Sequence, residues 1–424
     1  MARPVVVFED QGYLNFQPLT YTRPVCRLRC GIVTLWEKVA AAYPSAPIVL
    51  HTRNYVAPVV AEEIQEVKVN TLAGDSALLI NGRLVAPADL AGTIPLDGPD
   101  CAYLCDGQVV AARVSGGRCA EIAKLIAKGP LPDGWSEGLK TETVKLPMAK
   151  YPWDLVTLNA KQITADFARL KLGGKIAGKV HASAVLDEKE NIHIAEGAEI
   201  QPGAILAAHG GPIFIGPGAK VMCGAVVEGP VAVGRKTSIK ILAKIYEGTS
   251  MGEYCKVGGE VEESIFLAYS NKQHDGFLGH AYLGEWINLG ADTNNSDLKN
   301  NYGSVSVIIN GKKVDSGSLF VGLTMGDHSK AGINTMFNTG TVVGVGCNVY
   351  GADFPPKYVP SFCWGGAAGF VEYEQGKCLS TAEKVMGRRD RKLTPAGRKM
   401  LETVFQLTAA ERKAVVKAGG MKGD

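Results

Sequence analysis

From Ile194 to Asn348 the chain repeats in sixes, and this period constrains the fold more than any other feature. Each six opens on an aliphatic residue and carries glycine or another small residue at fixed offsets. It reads IAEGAE from Ile194, IQPGAI from Ile200, IGPGAK from Ile215 and VMCGAV from Val221. The phase slips at His209, Gly210 and Gly211, then returns as VGRKTS from Val233, IYEGTS from Ile245, MGEYCK from Met251 and VGGEVE from Val257. A six is long enough for one short strand and one turn, and three sixes close a triangular coil. Stacked coils turn the aliphatic residues into an internal core and put glycines at tight corners. The 51 glycines of the chain are dense between about residues 195 and 370, in keeping with this pattern. An all-β parallel β-helix is therefore expected over residues 191–372.

The repeat is interrupted from Asn271 to Asn294. This stretch contains His274 and His280, two of the chain's seven histidines. Repeats resume as LGEWIN from Leu283 and LGADTN from Leu289, and later as MGDHSK from Met325, AGINTM from Ala331 and VGVGCN from Val343. Asn295 to Leu319 departs again. There Ser304 to Ile309, then Asn310-Gly311, then Lys312 to Val314 predict a β-hairpin that projects from the prism.

Residues 1–147 alternate strand-like and helix-like segments: Val5 to Phe8, Ile32 to Ala42, Ile48 to Leu50, Val56 to Ile64, Ser76 to Ile80, Val109 to Val114. The alternation predicts a Rossmann-like α/β domain with a mainly parallel sheet, whose ligands would sit at the carboxyl ends of strands. The loop after Val5 to Phe8 carries one glycine, Gly12, and then Pro18-Leu19-Thr20-Tyr21-Thr22-Arg23-Pro24. That segment resembles the one following the glycine-rich loop of sugar-phosphate nucleotidyltransferases. The resemblance makes Arg23 a candidate phosphate clamp and Asp75 and Asp106 candidate magnesium ligands. Asn81 stands where an acid would be expected, and Arg27 and Arg29 are the cations nearest the family's lysine position. The domain reads as a divergent member of that fold.

Residues 148–190 hold a linker and a helix from Tyr151 to about Leu172, stopped by Gly173 and Gly174, that bridges the two domains. Residues 373–424 form a basic helical tail. From Lys377 to Asp424 it has twelve Lys/Arg against five Asp/Glu. Helices are expected over Thr381 to Arg389 and Pro395 to Leu407, packed by Leu401, Val404 and Phe405. The net charge of +3 is too small to imply a nucleic-acid or membrane partner for the whole chain. No apolar run of membrane-spanning length occurs, and the start has no signal-peptide pattern, so a cytoplasmic location is expected. The pairs Cys26/Cys30 and Cys101/Cys105 have the spacing of half a zinc ribbon. Their apolar flanks favour buried thiols.

The residues around the interruption carry a more specific resemblance. Gly279 to Gly284, Asn288 to Thr293 and Asn300 to Gly303 are similar to the acetyltransferase motif of the bifunctional UDP-N-acetylglucosamine pyrophosphorylase / glucosamine-1-phosphate N-acetyltransferase family. Val307 to Lys313 and Gly326 to Asn334 look closer to its archaeal and bacterial side branch. The segment from His280 to Leu283 is shortened, and Asp292 replaces a common glycine. The resemblance implies a left-handed β-helix, a homotrimer, acetyl-CoA as cosubstrate, and Mg2+ where the nucleotidyl half is active. It implies His280 as general base, since an amine attacking a thioester must lose a proton and imidazole titrates near neutrality. By the same analogy Lys272, Tyr282, Asn288, Asn301 and Tyr302 would hold the sugar phosphate. Backbone N–H groups at Gly290 or Ala291 would face the oxyanion, and Ser329 and Lys330 would lie on the coenzyme A side. Two rival readings use the same residues: zinc held by His274, His280 and His328 as in gamma-class carbonic anhydrases, and a non-enzymatic sugar-nucleotide sensor or scaffold.

Overall fold

The computed structural model describes residues 3–418, so the last six residues of the basic tail lie outside the described residues. The amino-terminal domain is built on a seven-stranded sheet, β1 Val5–Phe8, β2 Ile48–Leu50, β3 Lys68–Val69, β4 Ser76–Asn81, β5 Cys101–Cys105, β6 Gln108–Ser115 and β7 Thr141–Thr143. The spatial order is β3-β2-β1-β4-β6-β5-β7. β1 pairs in parallel with β2 and β4, while β6 runs antiparallel to both neighbours. β1 is apolar at all four positions because both of its faces are covered. Four helices follow the alternation, α1 Leu35–Ala42, α2 Ala57–Glu63, α3 Leu90–Thr93 and α4 Gly116–Ile126. α1 starts where Thr34 and Glu37 form a capping box.

α5, Pro152–Arg169, is the bridge expected from the sequence. Pro152 opens it, and the Asp154 carboxylate accepts from the Lys150 and Tyr151 amides at 2.7 and 3.0 Å. Its buried polar residues are the joints. Asn159 accepts from the Gly31 amide at 2.6 Å and donates to the Gly248 carbonyl at 2.7 Å, so one amide ties the loop of one domain to a coil of the other. Asp166 accepts from Lys38 Nζ at 2.7 Å and from the Ile32 amide at 3.0 Å.

The second domain is a three-sided parallel β-helix. Its faces are a nine-stranded sheet starting at Ile192–Ile194, an eleven-stranded sheet starting at Lys179–Val180 and a six-stranded sheet starting at Val185–Asp187. Coils begin earlier than the repeat at Ile194 indicates, because Lys179–Val180 already pairs with Glu199–Ile200. The six-residue period is explained by the interior. On the first face Ile194, Ile215, Val233, Met251, Phe266, Leu283, Met325, Val343 and Val359 stand in register, all buried. Each such rung stabilises the coil by about 1.5–3 kcal/mol relative to exposure.

The hairpin forms as expected, Ser306–Ile309 against Lys312–Asp315, with Asn310 and Gly311 both at positive φ as its two-residue turn requires. It does not project freely. Val305, Val307 and Ile309 are buried against Trp153, Val321 and Val342, so the hairpin folds back onto the start of α5 and the prism. The chain ends in α6 Gln375–Gly387, α7 Pro395–Leu407 and α8 Ala409–Ala418. Thr394 Oγ accepts from the Gly397 amide at the start of α7. These helices pack on the protein. Arg412 is fully buried, with Nε 2.7 Å from Glu372 and its guanidinium over the Phe405 ring. All ten cysteines are free thiols, and burial pushes the Cys26 and Cys30 thiols up, away from reactive thiolate.

Candidate functional site

The described residues bring a histidine and two carboxylates together at one corner of the prism. His280 occupies the turn between Phe277–Gly279 on the third face and Tyr282–Glu285 on the first, with φ of +46°. A left-handed backbone at a residue other than glycine is costly and points the side chain out of the corner. Its Nδ1 lies 2.9 Å from Asp297 Oδ2. Asp297 is nearly buried, and its carboxylate is the group that a neutral imidazole protonated at Nδ1 would face. Nε2 is left as the nitrogen available to accept a proton. The Phe320 ring stacks on the imidazole at 4.8 Å. Glu262, from the coil below, reaches within 4.8 Å of both other groups, and burial, helped by the nearby Asp297 charge, raises its carboxyl pKa. Glu263, at the preceding corner, is pushed up to about 6, chiefly by burial.

Asp297 and Phe320 are the two ends of one excursion. Leu298 and Phe320 form an antiparallel bridge, and the Val321 amide donates to the Asp297 carbonyl at 2.9 Å. The chain thus leaves the repeat after Asn295, one coil beyond His280, passes Asp297, makes the hairpin, and returns at Phe320, so the two ends of the excursion supply the histidine's partners. Sequence reasoning selected His280 and missed Asp297, Phe320 and Glu262. The available signal was an acid two residues past Asn295, where the repeat stops.

The remaining candidates are scattered. Lys272 is fully buried inside the coil, at a rung between Val257 and Leu289, and does not face a sugar phosphate. Its ammonium donates to the carbonyls of Gly258, His274 and Asp275 at 3.2, 2.9 and 3.2 Å. Burial pulls it down to about 8. Tyr282 is buried beneath the amino-terminal domain, its hydroxyl bonded to both the amide and the carbonyl of Arg29. That leaves it no polar group for a sugar. Ser329 is buried, donating to the Gly344 carbonyl and accepting from the Cys347 amide. Lys330 Nζ donates to the His328 carbonyl. The Gly290 amide already donates to the Ala331 carbonyl within the ladder, so it is not available to an oxyanion. Gly290 and Ala291 lie at the corner between the second and third faces, one corner away from His280. Asn288 is exposed on the second face. Asn301 and Tyr302 are exposed, Tyr302 by 70%, and sit on the same excursion as Asp297.

Arg23 is no phosphate clamp. It is buried between the domains, its two terminal nitrogens 2.8 and 2.6 Å from the Asp327 carboxylate, with Glu285 at 3.4 Å. At the carboxyl end of β1, Asp10 is held by Arg83 at 3.1 and 2.6 Å, by Asn81 and by the Gly12 amide. Asp75 precedes β4 and Asp106 lies in the β5–β6 turn beside Lys150. They are at different ends of the sheet and form no common cation site. Magnesium therefore does not fit these residues as they stand. Of the zinc candidates, His274 lies in the interruption and His328 at the corner between the first and second faces, stacked on Trp286. Among the described residues the one group able to share a metal is Glu262, His280 and Asp297.

Comparison with known proteins adds family context. Residues 5–175 match the family model described as sugar nucleotidyl transferase, which extends through α5. The "Bifunctional protein GlmU" of Methanocaldococcus jannaschii is 30% identical over 196 residues, 46% of this chain and 41% of that protein. The "Bifunctional sugar-1-phosphate nucleotidylyltransferase/acetyltransferase" of Sulfurisphaera tokodaii is 31% identical over 104 residues, 24% of this chain and 26% of that protein. The chain thus spans well under half the length of these relatives. Among solved structures, an Arabidopsis UDP-N-acetylglucosamine acyltransferase overlaps 58% of this chain and 93% of its own, at 12% identity and a TM-score of 0.26. The polySia specific acetyltransferase NeuO overlaps 45% and 87%, at 13% identity and a TM-score of 0.23. No helix among the described residues is long and apolar enough to cross a membrane.

Proposed function

We propose that the protein is an N-acetyltransferase that moves an acetyl group from acetyl-CoA to the amine of an amino-sugar 1-phosphate, glucosamine 1-phosphate or a close relative. The observation that carries this reading is the His280–Asp297 pair at a corner of the β-helix, in a chain similar over part of its length to bifunctional nucleotidyl- and acetyltransferases. The amine attacks the thioester carbonyl, so a C–N bond forms and the C–S bond breaks. His280 Nε2 takes the proton leaving nitrogen, and the sulfur departs as the coenzyme A thiolate. Asp297 holds the ring in the reactive tautomer, and its charge, with that of Glu262, stabilises the imidazolium as it forms.

The His280 side chain is 19% exposed at the prism surface, and a second copy of the chain would complete the site. Val185, Ile205 and Val226 form an apolar column on the third face, and Phe320 and Tyr302 are exposed beside the site. These features support the homotrimer expected from the sequence. Uridylyl transfer by the amino-terminal domain is a second reading, carried by the family match over residues 5–175. Because Arg83 occupies Asp10, no magnesium step is assigned to it. Formation of UDP-N-acetylglucosamine from UTP and N-acetylglucosamine 1-phosphate decides that half separately.

The test is thiol release from acetyl-CoA with a panel of amino-sugar 1-phosphates. His280→Ala should lower turnover by at least about 100-fold while leaving the assembly intact. Near wild-type turnover in that variant would remove His280 from the mechanism.

A further inference from the structure

Three side chains from three places in the chain meet at the His280 corner. Glu262 ends the third-face strand of the coil below, in register with Gly279. His280 follows Gly279 at the turn, and Asp297 opens the excursion. Their ligand atoms, one imidazole nitrogen and two carboxylate oxygens, all lie within 4.8 Å of one another. His280 Nδ1 and Asp297 Oδ2 are 2.9 Å apart. Atoms that share one zinc-class ion at about 2.0–2.2 Å stand roughly 3–3.5 Å from each other. The histidine and aspartate already have that spacing, and the Glu262 side chain needs only a small approach.

The corner gathers carboxylates without a cation to offset them. Among the described residues the Asp297 side chain pairs only with His280. The backbone carbonyl of Glu262 takes the Ser264 hydroxyl and the His280 amide, while its carboxylate makes no hydrogen bond or ion pair among the described residues. Glu263 and Glu247 stack on the same corner, and neither has a lysine or arginine partner among the described residues. Glu260, in the same strand as Glu262, is by contrast neutralised by Lys244 at 2.6 Å. Carboxylates drawn out of bulk water are ordinarily paired or hold a metal. The set is also held in place. A Cβ at position 279 would collide with Asp297 Oδ2, so the glycine lets that carboxylate come in. Phe320 fixes the plane of the imidazole. The His280 and Asp297 side chains remain 19% and 11% exposed, which leaves an entry path.

We propose that Glu262, His280 and Asp297 form a binding site for one divalent transition-metal ion of the zinc class. The donor set decides the class. An imidazole favours zinc, cobalt or nickel over calcium and magnesium, and two carboxylates without a thiolate disfavour copper(I). Binding has a consequence for the base. A neutral imidazole carries one hydrogen, and an ion on the Nδ1 lone pair leaves that hydrogen on Nε2. Nε2 then no longer accepts a proton. An ion at this corner and general-base chemistry at His280 therefore exclude one another, and the ion acts as a reversible inhibitor. That consequence rests on the acetyl-transfer reading; the binding itself does not.

The experiment is titration of the full-length protein, first stripped with a chelator, with Zn2+ by calorimetry and with Co2+ by visible absorption. One ion should bind per chain. Glu262→Gln, Asp297→Asn and His280→Ala should each weaken binding at least about ten-fold, while Glu260→Gln and His274→Ala should leave it unchanged. Absence of saturable binding of both ions would overturn the proposal, as would binding that all three ligand variants retain. Bound Zn2+ should also suppress formation of the N-acetylated sugar phosphate in proportion to occupancy, with recovery on adding chelator. Full turnover with the site saturated would refute the exclusion. Metal binding by a stripped protein that transfers no acetyl group would instead count against the base and leave the metal site standing.

Discussion

Replacing Asp297 by asparagine tests whether the carboxylate does more than fill space. The substitution keeps the size of the side chain but removes the charge facing His280 Nδ1 across 2.9 Å. It also offers an amide donor that favours the wrong imidazole tautomer. The carboxylate is only 11% exposed, so solvent screens little of the interaction. A hydrogen bond to a charged group of this kind is worth about 1.5–3 kcal/mol. At about 1.36 kcal/mol per decade, kcat/KM for acetyl transfer should fall about 10- to 150-fold. The loss should lie mainly in kcat, because the imidazolium that Asp297 stabilises exists only as the proton moves. The assay is thiol release from acetyl-CoA, with circular dichroism and sizing of the variant as the check on folding. Residues acting as one unit are strongly non-additive, so Asp297→Asn placed on His280→Ala should cost almost nothing more. A folded Asp297→Asn enzyme within two-fold of wild type, or multiplicative losses in the double variant, would refute the dyad.

Three further outcomes follow from the same geometry. Phe320→Ala removes the ring stacked on His280, an interaction of about 0.5–1.5 kcal/mol, and should lower kcat/KM roughly 2- to 12-fold without changing thermal stability much. Asp327→Asn removes the nearer charge partner of buried Arg23 and leaves it Glu285 at 3.4 Å, so it should destabilise the protein by up to about 3–5 kcal/mol in denaturant titrations. Retention of full stability would show that the interdomain pair is dispensable. Lys272 gives a pH signature. Its folded pKa, about 8, lies below the ordinary lysine value of 10.5, so the unfolded chain binds more protons between those limits. Stability should therefore rise from pH 8 to pH 10.5, by up to about 3 kcal/mol relative to Lys272→Met, a difference readable in paired melting curves and absent if the ammonium is not desolvated.

The repeat was legible because its cause is local and periodic. An aliphatic residue every six positions is the interior ladder itself, and the Asn310-Gly311 turn is set by the two residues' tolerance of positive φ. The roles of single polar residues were not legible, because the same side chain serves differently inside and outside the prism. Lys272 falls at a rung position, Tyr282 faces the amino-terminal domain, and Arg23 meets an acid 304 residues away. None of these placements has a sequence period. Lys272 and Asn295 show why the polar rungs cluster at the interruption. Where the chain leaves a regular ladder, backbone groups lose their strand partners, and a buried orphan costs more than an unusual core residue. Lys272 takes three carbonyls of that region, and Asn295 takes both the amide and the carbonyl of Gly279 at 2.9 Å. With the break satisfied from within, the excursion is free to turn outward and return. Its two ends place Asp297 and Phe320 on His280. Lys272, expected from the sequence to contact the sugar phosphate, and Asn295 are thus what permits the coil to open beside its base. A regular hexapeptide turn in place of Ser296 to Val321 would leave His280 without either partner.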